Sequence, residues 1–168
     1  LSQPKNQKIQ SKIQSKIQSK IQYVGLFLDM PSRIILRHWW QKICQQYDLD
    51  SLPKVYCDHV TLRFKPTELD TNWVFGKTYS IDVVGFGASE EIQAALVKIG
   101  IPVETTYPHI TLYSDATTAP ANSKLLFPSK LVPINGPLLK GTLGWSDGRV
   151  VHLTKPIMQP ILIESDNP

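Results

Sequence analysis

The chain has 168 residues, 42% of them hydrophobic, and a formal net charge of +4. That size makes one domain of ordinary length, or a small domain with a tail, with enough apolar residues for a buried core. Residues 1–22 hold five lysines (Lys5, Lys8, Lys12, Lys16, Lys20) and no acid, which leaves 13 basic and 14 acidic residues in 23–168; a body of net charge −1 argues against a long nucleic-acid duplex as the partner.

Residues 8–22 are a tandem repeat, KIQ-SKIQ-SKIQ-SKIQ. Successive Ile residues drift by about 40° around a helix, so the repeat reads as an unstructured basic tail or linker, or as an amphipathic helix with a slanting Ile stripe. The domain proper is expected over 23–155. Tyr23 to Leu28 is a short apolar run and reads as a buried strand. Ser32 is the expected N-cap of an amphipathic helix over 32–47, in which Ile34, Ile35, His38, Trp39, Ile43 and Tyr47 recur at helical spacing. The Trp39-Trp40 pair is expected in the packing of that helix. Leu52-Pro53 ends it.

Val55 to Phe64 reads as a strand, 65–76 as a loop, and Thr78 to Phe86 as an alternating strand. Ile92 to Ile99 is ambiguous: its composition suits a helix, its length a strand. Residues 109–113 form another strand, with a short helix expected at about 120–126. A turn at Asn135-Gly136-Pro137 follows, Pro137 shaping a rim. Lys140 to Trp145 and Val150 to Leu153 flank Ser146-Asp147-Gly148-Arg149 as a hairpin. Residues 156–168 read as a trailing extension. The fold class is α+β, with more strand than helix.

Cys44 and Cys57 are too few for a disulfide scaffold and are expected as free thiols in a cytoplasmic protein, with a nuclear location also open. No metal-ligand spacing and no membrane-length apolar run is present in the sequence, so neither a metal nor another cofactor is expected.

Two tetrapeptides fifty residues apart carry the chemistry. His59-Val60-Thr61-Leu62 and His109-Ile110-Thr111-Leu112 share one pattern. In a strand, residues i and i+2 point to the same face. His59 and Thr61 therefore share a face, as do His109 and Thr111. Two imidazoles can serve as acid and base near neutral pH, and two hydroxyls can hydrogen-bond the non-bridging oxygens of a phosphate. On the same alternation Arg63 is a candidate phosphate contact and Tyr113 a candidate stacking platform for a base. His38 and His152 lack a Thr two residues on and are left out.

The pair of motifs resembles the signature of the 2H (two-histidine) phosphoesterase superfamily. Tyr107-Pro108-His109-Ile110-Thr111-Leu112-Tyr113 is similar to the aromatic-Pro-His-Val-Thr-Leu-Trp stretch in the cyclic phosphodiesterase domain of plant and fungal tRNA ligases. Ala121-Asn122-Ser123-Lys124-Leu125 resembles their Ala-Asn-x-Leu stretch. The likeness covers about residues 23–145. It implies a bilobal fold, two lobes of antiparallel sheet with flanking helices around a central cleft. It also implies metal-independent opening of a 2′,3′-cyclic phosphate, on an RNA end or a small cyclic nucleotide, to a 2′-phosphate. His109 would activate water, His59 would protonate the 3′ leaving oxygen, and Thr61 and Thr111 would hold the phosphate. The chain lacks the ligases' adenylation domain and P-loop kinase. It is expected as a stand-alone, monomeric phosphodiesterase or as a domain of a longer parent chain that carries ligase or kinase domains. A 2′,5′-oligoadenylate or cyclic-oligonucleotide phosphodiesterase is the alternative at the same site, and a non-catalytic RNA-binding module is the second.

Overall fold

A computed structural model describes the backbone of residues 11–164 and the side chains of residues 16–160. It is an α+β structure, mostly antiparallel sheet with two helices. Strand β1 (Ser11–Ile17) is followed by β2 (Tyr23–Leu28), the helix α1 (Met30–Tyr47), β3 (Lys54–Val55) and β4 (His59–Phe64). Then come β5 (Thr78–Ala88), β6 (Ile92–Ile99), β7 (His109–Ser114) and a 3-10 helix (Pro120–Leu126). Four strands close the chain: β8 (Leu131–Pro133), β9 (Leu138–Ser146), β10 (Val151–His152) and β11 (Met158–Glu164).

Nine strands form one sheet, in the order β3-β7-β6-β5-β9-β2-β4, with β10 paired to β9 and β8 to β5. The two ends of that order are one piece of chain. Beyond β3, Tyr56 N–H donates to Leu112 O and Cys57 N–H to Thr111 O, so pairing with β7 continues almost to β4. Cys57 then takes a positive φ of 55°, and the chain crosses to pair with β2 instead. The strand expected over 55–64 is therefore broken at Cys57, where the backbone leaves the extended region. The sheet curls until β4 and β7 approach each other, and Glu104 N–H donates to Leu62 O across the gap.

The N-cap of helix α1 lies three residues before the expected one. The Asp29 carboxylate accepts from Ser32 N–H at 2.8 Å, which makes Asp29 the N-cap. Ser32 is buried instead, and its hydroxyl accepts from Lys140 N–H at 2.8 Å. Ser32, Leu36, Trp40 and Ile43 are the buried side of the helix. They join Val24, Leu26, Val60, Leu62, Ile110, Leu112 and Leu143 in the main core. A second, smaller cluster of Ile92, Ala94, Leu126 and Phe127 lies under the 3-10 helix.

The ambiguous segment 92–99 is a strand. It pairs with β5 on one side and β7 on the other. Ile92 to Ala95 are all buried, so the alternation that marks a half-exposed strand is missing from the sequence. The repeat and the trailing extension also differ from expectation. Their described parts, β1 and β11, pair antiparallel from Ser11 with Glu164 to Ile17 with Met158. A repeat of four residues is commensurate with a strand's period of two, and so it pairs without mismatch. Residues 1–10 and 165–168 of those two segments lie outside the described residues. Among the described residues, no helix is long and apolar enough to cross a membrane.

Candidate active site

Both motifs lie on strands with the expected alternation. Val60 and Leu62, like Ile110 and Leu112, are buried, while His59, Thr61, His109 and Thr111 are partly exposed. Burying each pair of aliphatic side chains stabilises its strand by about 1.5–3 kcal/mol per residue and locks which face the polar residues take.

His59 stands between a carboxylate and two aromatic rings. Its Nδ1 is 2.6 Å from Asp58 Oδ1. The Tyr23 ring stacks on the imidazole at 4.7 Å between centroids, with Phe27 at 5.7 Å. Burial works to raise the Asp58 pKa, but the hydrogen bond and charge of His59 and the Arg33 guanidinium outweigh it, and the carboxyl lies below its usual range. An ionised carboxylate accepts only, so His59 Nδ1 carries the proton and Nε2 is the nitrogen left for exchange. Thr61 pairs with Gly25 of β2. A Cβ there would lie 2.6 Å from Val60 O, so only glycine lets the two strands close at this point.

His109 has a different setting. Its Nδ1 donates to Tyr107 O at 2.8 Å. A carbonyl only accepts, so in the neutral ring Nε2 carries the lone pair. Nε2 meets Ser123 Oγ at 2.9 Å. The same Oγ lies 2.8 Å from Thr111 Oγ1 and 2.7 Å from Pro120 O, so its single proton has two acceptors within reach, Nε2 and the Pro120 carbonyl. Ser123 is fully buried. Burial pushes the His109 pKa down, the Tyr107 carbonyl pushes it partly back, and the charge of His59 lowers it further. The charge of His59 thus reaches His109 where β4 approaches β7.

Arg63 and Tyr113 are not part of this face. In the β2–β4 pair, Gly25 matches Thr61 but Val24 matches Arg63, so Leu62 is an extra residue. In the β6–β7 pair, Ala94 matches Thr111 but Gln93 matches Tyr113, so Leu112 is an extra residue. A bulge reverses the alternation beyond it. Arg63 therefore turns to Trp73, with its guanidinium 5.1 Å from the ring and Nη2 3.9 Å from Asp70 Oδ2. Tyr113 packs on the main core, where burial pushes its phenol up and Cys57, Arg37 and Cys44 are its neighbours.

Past the same bulges, Phe64 and Ser114 return to the motif face. Phe64 pairs with Tyr23 and is 54% exposed, with Lys65 Nζ 5.4 Å from its ring; Ser114 is fully buried. Asp58, Tyr23 and Ser123 also belong to the site without having been singled out. Asp58 precedes the first histidine directly, and that adjacency was the available signal. Ser123 had no spacing to mark it.

A hollow of about 610 Å³ is lined by Asp48, Asp50, Ser89 and Glu91, and one of about 680 Å³ by Leu69, Trp73, Val74 and Phe75. No motif residue lines either. Among the described residues, no three His, Cys, Asp or Glu side chains gather as metal ligands. No family model matches the chain, and no curated protein matches it either.

Proposed function

We propose that the two histidines open a 2′,3′-cyclic phosphate on an RNA end or a nucleotide, without a metal, to leave a 2′-phosphate. The observation that carries this reading is the unlike pairing of two like motifs. Both imidazoles have Nδ1 tied to an acceptor, so Nε2 is the working nitrogen of each. The His59 partner is an ionised carboxylate; the His109 partner is a neutral carbonyl, and burial of that ring favours its uncharged form.

That difference supports a division of roles. His109 Nε2 takes a proton from water as the water oxygen attacks phosphorus. The bond from phosphorus to O3′ breaks, and O3′ takes the proton from His59 Nε2. Thr61 and Thr111 donate to the non-bridging oxygens, where charge builds. The resemblance of the motifs to the cyclic phosphodiesterase domain of tRNA ligases supports the same bond. The bilobal description of that family fits a division into one half built on β2 and β4 and another on β6 and β7, each with one motif.

A substrate panel tests the reading. Adenosine 2′,3′-cyclic phosphate, an RNA oligomer ending in a 2′,3′-cyclic phosphate and a 2′,5′-linked oligoadenylate are offered in EDTA. Turnover of the first two to 2′-phosphates is expected, with loss in His59→Ala and His109→Ala. Turnover of the 2′,5′-linked substrate alone would assign the other linkage. RNA binding without turnover would make the chain a binding module.

A further inference from the structure

One oxygen atom of the protein stands against both polar residues of the second motif. Ser123 Oγ is 2.9 Å from His109 Nε2 and 2.8 Å from Thr111 Oγ1. Those are the two groups that the cyclic-phosphate reading assigns to the attacking water and to a phosphate oxygen. The in-plane lone pair of Nε2 is single, so it cannot serve Ser123 and a water at once. Around the rest of the ring, Phe127 lies 5.9 Å away, Leu96 pairs with His109 across β6–β7, and Nδ1 is held by Tyr107 O. From the other motif strand, the charge of His59 is the one titratable neighbour that bears on it.

We infer that Ser123 Oγ occupies, in the resting protein, the place of the water or phosphate oxygen, and that substrate binds by displacing this hydroxyl from His109 and Thr111. The inference rests on the cyclic-phosphate reading for its choice of ligand. Ser123 is thereby an affinity-setting residue of the site.

Three features make the displacement feasible. Ser123 has a second acceptor in its own turn, Pro120 O at 2.7 Å, so release leaves its hydroxyl partnered. The turn that carries it is a 3-10 helix with Pro120 at its start and no side-chain cap, and hydrogen bonds in such helices are poorly aligned. The anchor of that helix is at its other end, where Leu126 and Phe127 pack on Ile92 and Ala94. Among the described residues the first motif has no such cover: His59 is flanked by Asp58, Tyr23 and Phe27, and no hydroxyl caps it in this way.

The test uses the whole chain with adenosine 2′-monophosphate and inorganic phosphate as probes. Ser123→Ala removes the competing oxygen. It is expected to bind both probes roughly five- to thirty-fold more tightly, as two hydrogen bonds no longer have to be exchanged. KM for adenosine 2′,3′-cyclic phosphate falls by a similar factor. Weaker or unchanged binding by a variant that melts as wild type does would overturn the inference and make Ser123 a residue that positions His109. Ser123→Gly serves the same purpose if the alanine variant does not fold. In the wild-type chain, saturating phosphate is expected to shift the nuclear magnetic resonances of the Ser123 amide and the His109 ring together, and a Ser123 amide that does not move would also overturn it. The two readings fail separately. A chain that turns over no cyclic phosphate but binds phosphate more tightly as Ser123→Ala loses the proposed reaction and keeps the displacement.

Discussion

Leu62 in β4 and Leu112 in β7 hold the same place: each follows the threonine of its motif, and each is the extra residue where its strand steps out of register with its partner. The side chain after each is turned away from the histidine. If Arg63 points at Trp73 and Tyr113 at the main core, neither touches the reacting phosphate. Arg63→Ala and Tyr113→Phe are expected to keep kcat/KM within about three-fold of wild type. Arg63→Ala should lower stability by about 0.5–1 kcal/mol through its lost stacking on Trp73, measured by urea denaturation. A hundred-fold fall in kcat/KM for Arg63→Ala would return that residue to the site.

Asp58 is hydrogen-bonded to His59 Nδ1 at 2.6 Å, and on the proposed reading it is a positioning residue. Asp58→Asn keeps the shape but removes the carboxylate charge beside the ring. A fall in kcat of roughly ten- to a thousand-fold is expected, with KM little changed. Steady-state kinetics on adenosine 2′,3′-cyclic phosphate decide it. An unaltered kcat would remove the charged pair from the mechanism.

The pH dependence has a defined sign. Burial holds the His109 pKa below the ordinary histidine value of about 6.5, so the acid limb of the kcat/KM profile is expected below that pH. Stability follows the same shift. Between the depressed folded pKa and about 6.5 the unfolded chain binds the proton more readily, so stability rises with pH through that window and is level above it. Urea midpoints measured from pH 4.5 to 8 should show this rise in wild type and a weaker one in His109→Gln. An equal slope in both would assign the dependence to other groups.

Gly25 allows β2 and β4 to close beside Thr61. In Gly25→Ala, the new methyl group would meet Val60 O at 2.6 Å, a backbone atom with little room to yield. A loss of about 1–3 kcal/mol is expected from chemical denaturation, together with a fall in activity as Thr61 shifts. A variant as stable and active as wild type would show that the strands can part here without consequence.

The two motif strands, their buried Val60, Leu62, Ile110 and Leu112, and helix α1 were legible because each has a local period that burial enforces. The N-cap of α1 was misplaced by three residues because Asp29 and Ser32 are both capping types, and only the bond from Ser32 N–H to Asp29 separates them. The strand over 92–99 was hidden by its position between two neighbours, which buries both of its faces.

By itself, the sequence marked the two candidate histidines and determined that each shares a face with its threonine, since that depends only on i and i+2 within one strand. Tertiary structure alone decided the rest. A bulge is a mismatch between two strands, so no single segment announces that Arg63 and Tyr113 leave the face and Phe64 and Ser114 join it. The partners that separate His59 from His109, Asp58 with Arg33 on one side and Tyr107 with Ser123 on the other, are set by how the chain crosses at Cys57 and folds back at Pro120. Two motifs of the same pattern were thus given unlike chemical settings by contacts that come from distant parts of the chain.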